Sequence, residues 1–274
     1  MVAEREQVED RRRRAQSFGN AADTYDRARP DYPGEMFAHI AAQLPGPSVL
    51  EVGAGTGTAT RGLAALGLDV TCVEPDSRMA AVLARRMAGG PPVRIEVETF
   101  ESARLEGPYD GLVSAMSWQW TDPASRMDRA AGLLRPGGFL AICYHGGVVQ
   151  PQPAFEAIEA IYDDFRLTGR DRPREPVGIA SDLAKIQDPD TWPGDELAAH
   201  PFFDYRGTTQ FPWQKNYTAS DYAAYQESTS FYQVMNPELR GRLLQAVTET
   251  IREQFDDLIT IEWYTQCYDA YRIG

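Results

Sequence analysis

The sequence predicts an α/β protein built on a mostly parallel, doubly wound sheet with helices on both faces. Two observations predict it. Short apolar runs alternate with helix-period segments between residues 48 and 145, and continuous apolar runs mark strands buried on both faces. After residue 150 the rhythm changes, which predicts two further strands separated by the helices of an inserted cap.

The elements follow in order. SVLEV (48–52) reads as the first strand. TATRGLAALG (58–67) carries Leu63 and Leu66 at helical spacing, and Gly67 suits the position just past a helix end. DVTCVE (69–74) is the second strand. Asp76 or Ser77 suits the cap of the helix SRMAAVLARRM, which stops before Gly89, Gly90 and two prolines. VRIEVET (93–99) and YDGLVSAM (109–116) are the third and fourth strands. PASRMDRAAGLL (123–134) is a helix ended by the turn signal Arg135-Pro136-Gly137-Gly138, and FLAICYH (139–145) is the fifth strand. Right-handed crossovers then place a ligand crevice at the C-terminal ends of the strands. Beyond it lie a helical piece (154–165), a polar, proline-rich stretch from Thr168 to Pro193, a strand (204–214), two helical patterns (218–233 and 237–255) and an alternating strand (258–271). The expected organisation is an N-terminal lid segment over 1–33, a ligand-binding core over 34–150, and cap helices plus the last two strands over 151–274.

Composition narrows the function. The formal net charge is −13 over 274 residues. Such a surface repels phosphate backbones and argues against nucleic acid as a partner. Arg11 to Arg14 are balanced by Glu4, Glu6, Glu9 and Asp10, and read as a solvated helix face. No apolar run reaches the length of a membrane span, and the charged N-terminus lacks the apolar stretch of a secretory signal. Cys72, Cys143 and Cys267 build neither a disulfide framework nor a zinc spacing, so a reducing cytoplasm is the expected compartment and no metal is expected. Oligomeric state cannot be read from the sequence.

The chemistry begins at Val49 to Thr58. A buried strand runs into a turn containing Gly53, Gly55 and Gly57, and then into a helix. Glycine lets backbone approach a ligand closely and take unusual φ values. The helix N-terminus offers free N–H groups at the same place. Glu74, at the end of the second strand, can accept hydrogen bonds from both hydroxyls of a ribose. The glycine spacing is G-x-G-x-G, not the G-x-G-x-x-G of dinucleotide dehydrogenases, where a helix dipole meets a pyrophosphate.

EVGAGTGTAT (51–60), VEPD (73–76) and LLRPGG (133–138) closely resemble class I S-adenosylmethionine-dependent methyltransferases, over roughly residues 15–145. Phe18, Ala21, Tyr25, Arg29-Pro30 and Tyr32-Pro33 are similar to the F…Y…RP-x-YP signature of the subgroup containing trans-aconitate methyltransferase-like (type 11) enzymes. Phe211-Pro212-Trp213 and Ser220 to Tyr232 are similar to that subgroup less sharply. The resemblance implies a Rossmann-like sheet of seven strands with an antiparallel C-terminal edge strand, and S-adenosylmethionine as cofactor. It implies that Gly53, Ala54 and Gly55 line the methionine part, Glu74 holds the ribose diol, and Pro75 and Met79 border the adenine. Thr99, Phe100 and Glu101 would contact the adenine and its amino group, and Ser114, Ala115 and Met116 would run under the sulfonium. Tyr25 and Arg29 would close over the cofactor, with Arg29 a candidate for its carboxylate; the alternative for Arg29 is a surface cation.

Methyl transfer from a sulfonium is an in-line displacement in which the protein supplies alignment and exclusion of water. A base is needed only where the acceptor atom is still protonated. The subgroup often shows W-H-W-x-D-P after the fourth strand, whereas this chain has Trp118-Gln119-Trp120-Thr121-Asp122-Pro123. Gln119 cannot take a proton. Of the three histidines, His39 reads as structural, His200 as exposed, and His145, at the end of the fifth strand, is the one candidate catalytic group, with strand-end packing as its alternative. Trp118, Trp120, Tyr32 and Trp213 are the expected walls of the acceptor site; Tyr217, Tyr222, Tyr225, Phe231 and Tyr232 read as core or pocket aromatics of the cap. The expected reaction is methyl transfer to a small molecule, on a carboxylate or another acidic or ionised nucleophile. The alternatives are a cofactor-binding protein with a non-methylating role, such as cyclisation or regulatory binding, and a nicotinamide-dependent oxidoreductase.

Overall fold

The computed structural model describes residues 13–15, 17–168, 172–173 and 192–274. Arg11 and Arg12, and most of the stretch from Thr168 to Pro193, lie outside the described residues. The chain divides into two compact units. One comprises residues 31–145, 188–211 and 265–274; the other comprises 1–30, 146–187 and 212–264.

The first unit is built on a seven-stranded sheet in the order β3-β2-β1-β4-β5-β7-β6, parallel through β5 with antiparallel pairing among its C-terminal strands. Its strands are β1 (Ser48–Val52), β2 (Asp69–Val73), β3 (Arg94–Glu96), β4 (Tyr109–Ala115) and the proximal parts of β5 (Leu134–Gln150), β6 (Phe203–Tyr217) and β7 (Ile259–Arg272). β1 pairs in parallel with β2 on one side and with β4 on the other, with Glu51 opposite Cys72 and Val113. β1 and β4 are buried nearly throughout, because helices cover both faces. Those helices, in chain order, are α2 (Gly34–Gln43), α3 (Thr58–Ala65), α4 (Ser77–Met87), α5 (Arg126–Leu133) and α7 (Gly194–Ala199), α1 (Ala22–Ala28) and α6 (Gln152–Asp164) belonging to the other unit. One core contains Leu50, Val52, Phe100, Leu112, Trp118, Leu140 and Tyr268. The other contains Met36, Ile40, Val49, Leu63, Val113, Phe139, Cys143 and Cys267.

Local chemistry sets the element ends. The Asp76 side chain accepts from Arg78 N at 2.9 Å and starts α4. Gly67, with φ +78°, ends α3 as expected. The Arg135-Pro136-Gly137-Gly138 signal is not a loop between elements. It bulges from β5 itself, between the pairs Tyr109–Leu134 and Gly111–Phe139, with Gly137 at φ +73°. The third strand is shorter than expected, since Val97 and the residues after it turn outward to solvent.

The second unit has its own core of Val149, Ile158, Tyr162, Tyr217, Tyr222, Tyr225, Tyr232, Val247, Ile261 and Trp263. These come from α6, from α8 (Ala219–Glu227), α9 (Ser230–Val234) and α10 (Pro237–Gln254), and from the distal parts of β5, β6 and β7. The pattern at 218–233 predicts one helix, and two form. Ser228 Oγ donates to Tyr225 O at 2.6 Å and Thr229 Oγ1 to Gln226 O at 2.8 Å. Hydroxyls that compete for helical carbonyls in this way end the helix. No helix among the described residues is long and apolar enough to cross a membrane.

Candidate functional site

At the C-terminal ends of β1 and β2 the glycine turn is pinned to the sheet. Val73 O accepts from Gly53 N at 2.8 Å and from Ala54 N at 3.2 Å. Gly53, Gly55 and Gly57 have φ of +72°, +59° and +89°, a region that residues with a Cβ adopt only at a cost. Packing adds a second constraint at Gly53, where a Cβ would sit 2.4 Å from Ser117 Cβ. At Gly55 a Cβ would meet only Met79 Cε, at 3.7 Å, so its bare backbone faces space bordered by Met79.

Glu74 closes the turn. Its Oε2 accepts from Gly55 N at 2.8 Å and its Oε1 from Asp76 N at 2.9 Å. Each oxygen keeps a second lone pair, so the carboxylate is fixed by backbone and still able to accept two ligand hydroxyls. Burial pushes its pKa up to about 7 despite the two backbone donors. Beneath it, Glu51 is buried and accepts from Thr60 Oγ1 at 2.6 Å; burial, and to a lesser extent the neighbouring Glu74, push it up to about 7 as well. Thr56 Oγ1, in the same turn, is buried and has no hydrogen-bond partner among the described residues. The arrangement suits an adenosyl group: a bare backbone bend and a ribose acceptor with free lone pairs.

The fourth strand supplies the adjoining wall. Ser117 Oγ donates to Val52 O at 2.5 Å and lies 2.7 Å from Ser114 Oγ, tying β4 to the end of β1. Met116 takes φ +56°, a strained value for a side chain of its size, and its N donates to Cys143 O at 2.8 Å. Met116 Sδ accepts from His145 N at 3.2 Å. The His145 ring stacks on Tyr32, with centroids 5.0 Å apart and an interplanar angle of 29°. Gln119 is held by a donation to Met116 O at 3.0 Å and by the Tyr144 hydroxyl, which donates to its Oε1 at 2.7 Å.

The remaining candidates fall into distinct places. Pro75 is exposed and Met79 buried. Thr99 is exposed and accepts from Ser102 N at 3.3 Å. Glu101 accepts from Asp122 N at 2.6 Å. Phe100 and Trp118 are buried core residues, 6.0 Å apart between ring centroids. Ala115 and Trp120 are half-buried. His39 donates to or accepts from Asp269 Oδ2 at 2.7 Å. His200, expected in an exposed loop, is half-buried and 3.4 Å from Asp128, because Phe202 and Phe203 pack against its ring.

Tyr25, Arg29 and Trp213 belong to the other unit. There the Arg29 guanidinium lies 4.7 Å from the Tyr25 ring centroid, 5.7 Å from that of Tyr225 and 5.9 Å from that of Phe18, and donates to Ser228 O at 3.1 Å. It is half-buried among aromatic rings, not a surface cation. Trp213 stacks on Trp263 at 5.7 Å.

Sequence reasoning missed Ser117 and Glu51 as site residues. Glu51 was visible inside the strand motif itself. Ser117 had only its three-residue spacing from Ser114 to betray it.

Comparison with known proteins fits this geometry. Residues 49–138 match the family model described as methyltransferase domain. Over 138 residues the chain is 38% identical to uncharacterized methyltransferases of Mycobacterium bovis and Mycobacterium tuberculosis, a match covering 49% of this chain and 54% of each relative. The chain thus spans about half the length of the curated relatives it matches. A solved structure from Anaeromyxobacter dehalogenans, described as a type II methyltransferase, superposes with a TM-score of 0.62 at 21% identity, over 90% of this chain and 99% of that one; this likeness is one of fold.

Proposed function

We propose that the chain, of which residues 49–138 match a methyltransferase-domain family model, is a class I, S-adenosylmethionine-dependent methyltransferase that binds S-adenosylmethionine at the turn 53–57 and methylates a small acidic molecule. One observation carries the reading. The Glu74 carboxylate is fixed by the N–H groups of Gly55 and Asp76 beside a backbone bend with no Cβ in the way.

When bound, the cofactor supplies an electrophilic methyl group on a positive sulfur. The residues of this chain then have three tasks. Glu74 accepts the ribose hydroxyls. Gly53, Ala54 and Gly55 present backbone to the methionine part, with Ser114 and Ser117 holding the floor through Val52 O. Met79 borders the adenine, with Pro75, Thr99 and Glu101 at the rim.

Among the described residues no strong base is seen at the end of β4. Gln119 occupies the position where the resemblance leads one to expect histidine, and its amide is committed to Met116 and Tyr144. Tyr144 is held protonated, since burial raises its pKa well above the ordinary tyrosine range. An acceptor that arrives already ionised needs no proton removed, and alignment then supplies the rate. His145 is the exception to test. The experiment is transfer of labelled methyl from the cofactor to a panel of small carboxylic acids, at saturating cofactor. A turnover that is flat between pH 6 and 9 and survives His145→Ala supports an ionised acceptor. Abolition by His145→Ala assigns the histidine a proton-transfer role and removes that part of the reading.

A further inference from the structure

We propose that the unit bearing the sheet contains a closed, zinc-type metal site formed by His39, Cys143, Cys267 and Asp269, remote in the chain from the glycine turn and unrelated to methyl transfer. His39 stands on α2, Cys143 on β5, and Cys267 and Asp269 on β7. β5 and β7 are neighbours in the sheet. Cys267 and Asp269 are two residues apart on one strand and therefore share a face.

Three of the four donor atoms are already gathered. His39 Nε2, Cys267 Sγ and a carboxylate oxygen of Asp269 all lie within 4.8 Å of one another. Cys143 Sγ is 3.4 Å from Cys267 Sγ but stands outside that cluster, so it completes the set only by moving toward the other donors. Bonds of about 2.0–2.3 Å to a tetrahedral zinc put neighbouring donors roughly 3.3–3.8 Å apart. The sulfur pair sits just inside that range, and the 2.7 Å His39–Asp269 pair needs to open by less than about 1 Å to reach it. A disulfide would hold the sulfurs at about 2.05 Å, so this is an uncrosslinked thiol pair.

A second observation points to a missing partner. Asp269 is only 7% exposed, and its Oδ1 has no hydrogen-bond partner among the described residues. A buried carboxylate oxygen without a donor is costly, and a cation would satisfy it. The outer shell is also in place: Thr209 Oγ1 donates to Asp269 Oδ2 at 3.3 Å, and the Phe211 ring covers His39 at 5.6 Å. Metal binding forms two metal–sulfur bonds and releases two thiol protons to solvent. Four protein donors leave no position for water, which makes the site structural; its task is to fasten α2 to β7.

The test uses the full chain, because the cysteines are buried and must meet the ion during folding. The protein is unfolded, freed of metal by chelator, and refolded under reducing conditions with Co²⁺ or Zn²⁺ alone. The expected result is about one ion retained per chain, a thiolate-to-cobalt charge-transfer band, and a higher melting temperature than the metal-free protein. Cys267→Ser and Cys143→Ser should each weaken or remove the band while His39→Gln, which keeps both thiols, shifts it and loosens zinc. Three results would overturn the proposal: no retained ion in the refolded protein, a band that survives both cysteine variants, or an intact mass two hydrogens below the reduced value, which would mark a disulfide. If a cysteine variant does not fold, His39→Gln alone decides, since an unchanged cobalt spectrum there removes the site.

Discussion

Glu74 combines two properties that usually exclude each other: it is buried, and it is expected to bind as an anion. Hydroxyls donated by a ribose favour the ionised form. Binding should therefore tighten as pH rises through about 7 and release a proton below that value, read by calorimetry in buffers of different ionisation heat. Glu74→Gln removes charge-assisted hydrogen bonds of about 1.5–3 kcal/mol and should weaken cofactor binding by roughly 10- to 100-fold. The same burial has a stability consequence. Glu51 and Glu74 both rise from 4.5 to about 7 on folding, so the folded state holds their protons more tightly than the unfolded chain. Stability from these groups is full below about pH 4.5 and falls as pH rises to 7, by about 3 kcal/mol per carboxyl. Urea unfolding of the cofactor-free protein at pH 5 and 7.5 should show this loss reduced in Glu74→Gln. A smaller substitution tests the turn. Gly53→Ala meets both the positive φ and Ser117; it should cost about 1–3 kcal/mol and abolish cofactor binding, and adding Ser117→Gly should restore stability only in part, because the φ remains. These features were legible in the sequence because they are local. The glycine spacing and an acid at a strand end need no knowledge of distant chain. Trp118 and Phe100 were not legible in the same way: the sequence placed them beside a ligand, and whether a ring faces a ligand or a core depends on what packs from the other side.

α5 and α7 are joined by an ion-pair fork. Arg126 Nε and Nη2 donate to the two oxygens of Glu196 at 2.8 and 2.6 Å, its Nη1 donates to Trp118 O at 3.1 Å, and its guanidinium lies against Trp118 and Trp192. Arg126→Ala leaves Glu196 without its cation and should lower the unfolding free energy by about 3 kcal/mol, the low end of the range for buried pairs because Glu196 keeps the Trp192 Nε1 donor at 3.0 Å and some contact with water. Denaturant midpoints at constant m-value check this. The strand and helix sequence of residues 48–145 was legible because period and caps repeat there. The bulge in β5 and the split at Ser228 were not, since Gly-rich turn signals and helix periodicity do not reveal whether a partner strand or a hydroxyl will decide the outcome.

For the whole molecule the charge and the fold class were readable from composition and alternation, whereas the gathering of Cys143 and Cys267, 124 residues apart, required the sheet order. A ligand that binds only the folded state stabilises it by mass action: at one hundred times its Kd, demethylated cofactor should add about 2.7 kcal/mol. Thermal unfolding with and without it measures the gain, and Gly53→Ala should show none.

β7 lies between β5 and β6 in the sheet although it follows both in the chain. During translation β6 emerges with no neighbour to pair with, and it stays so until residues 259–272 have left the ribosome. An unpaired strand edge invites association with other chains. The nascent protein is thus most vulnerable between the emergence of β6 and that of β7, and a ribosome stalled before residue 259 would display that edge to whatever chaperone or nascent neighbour stands nearest.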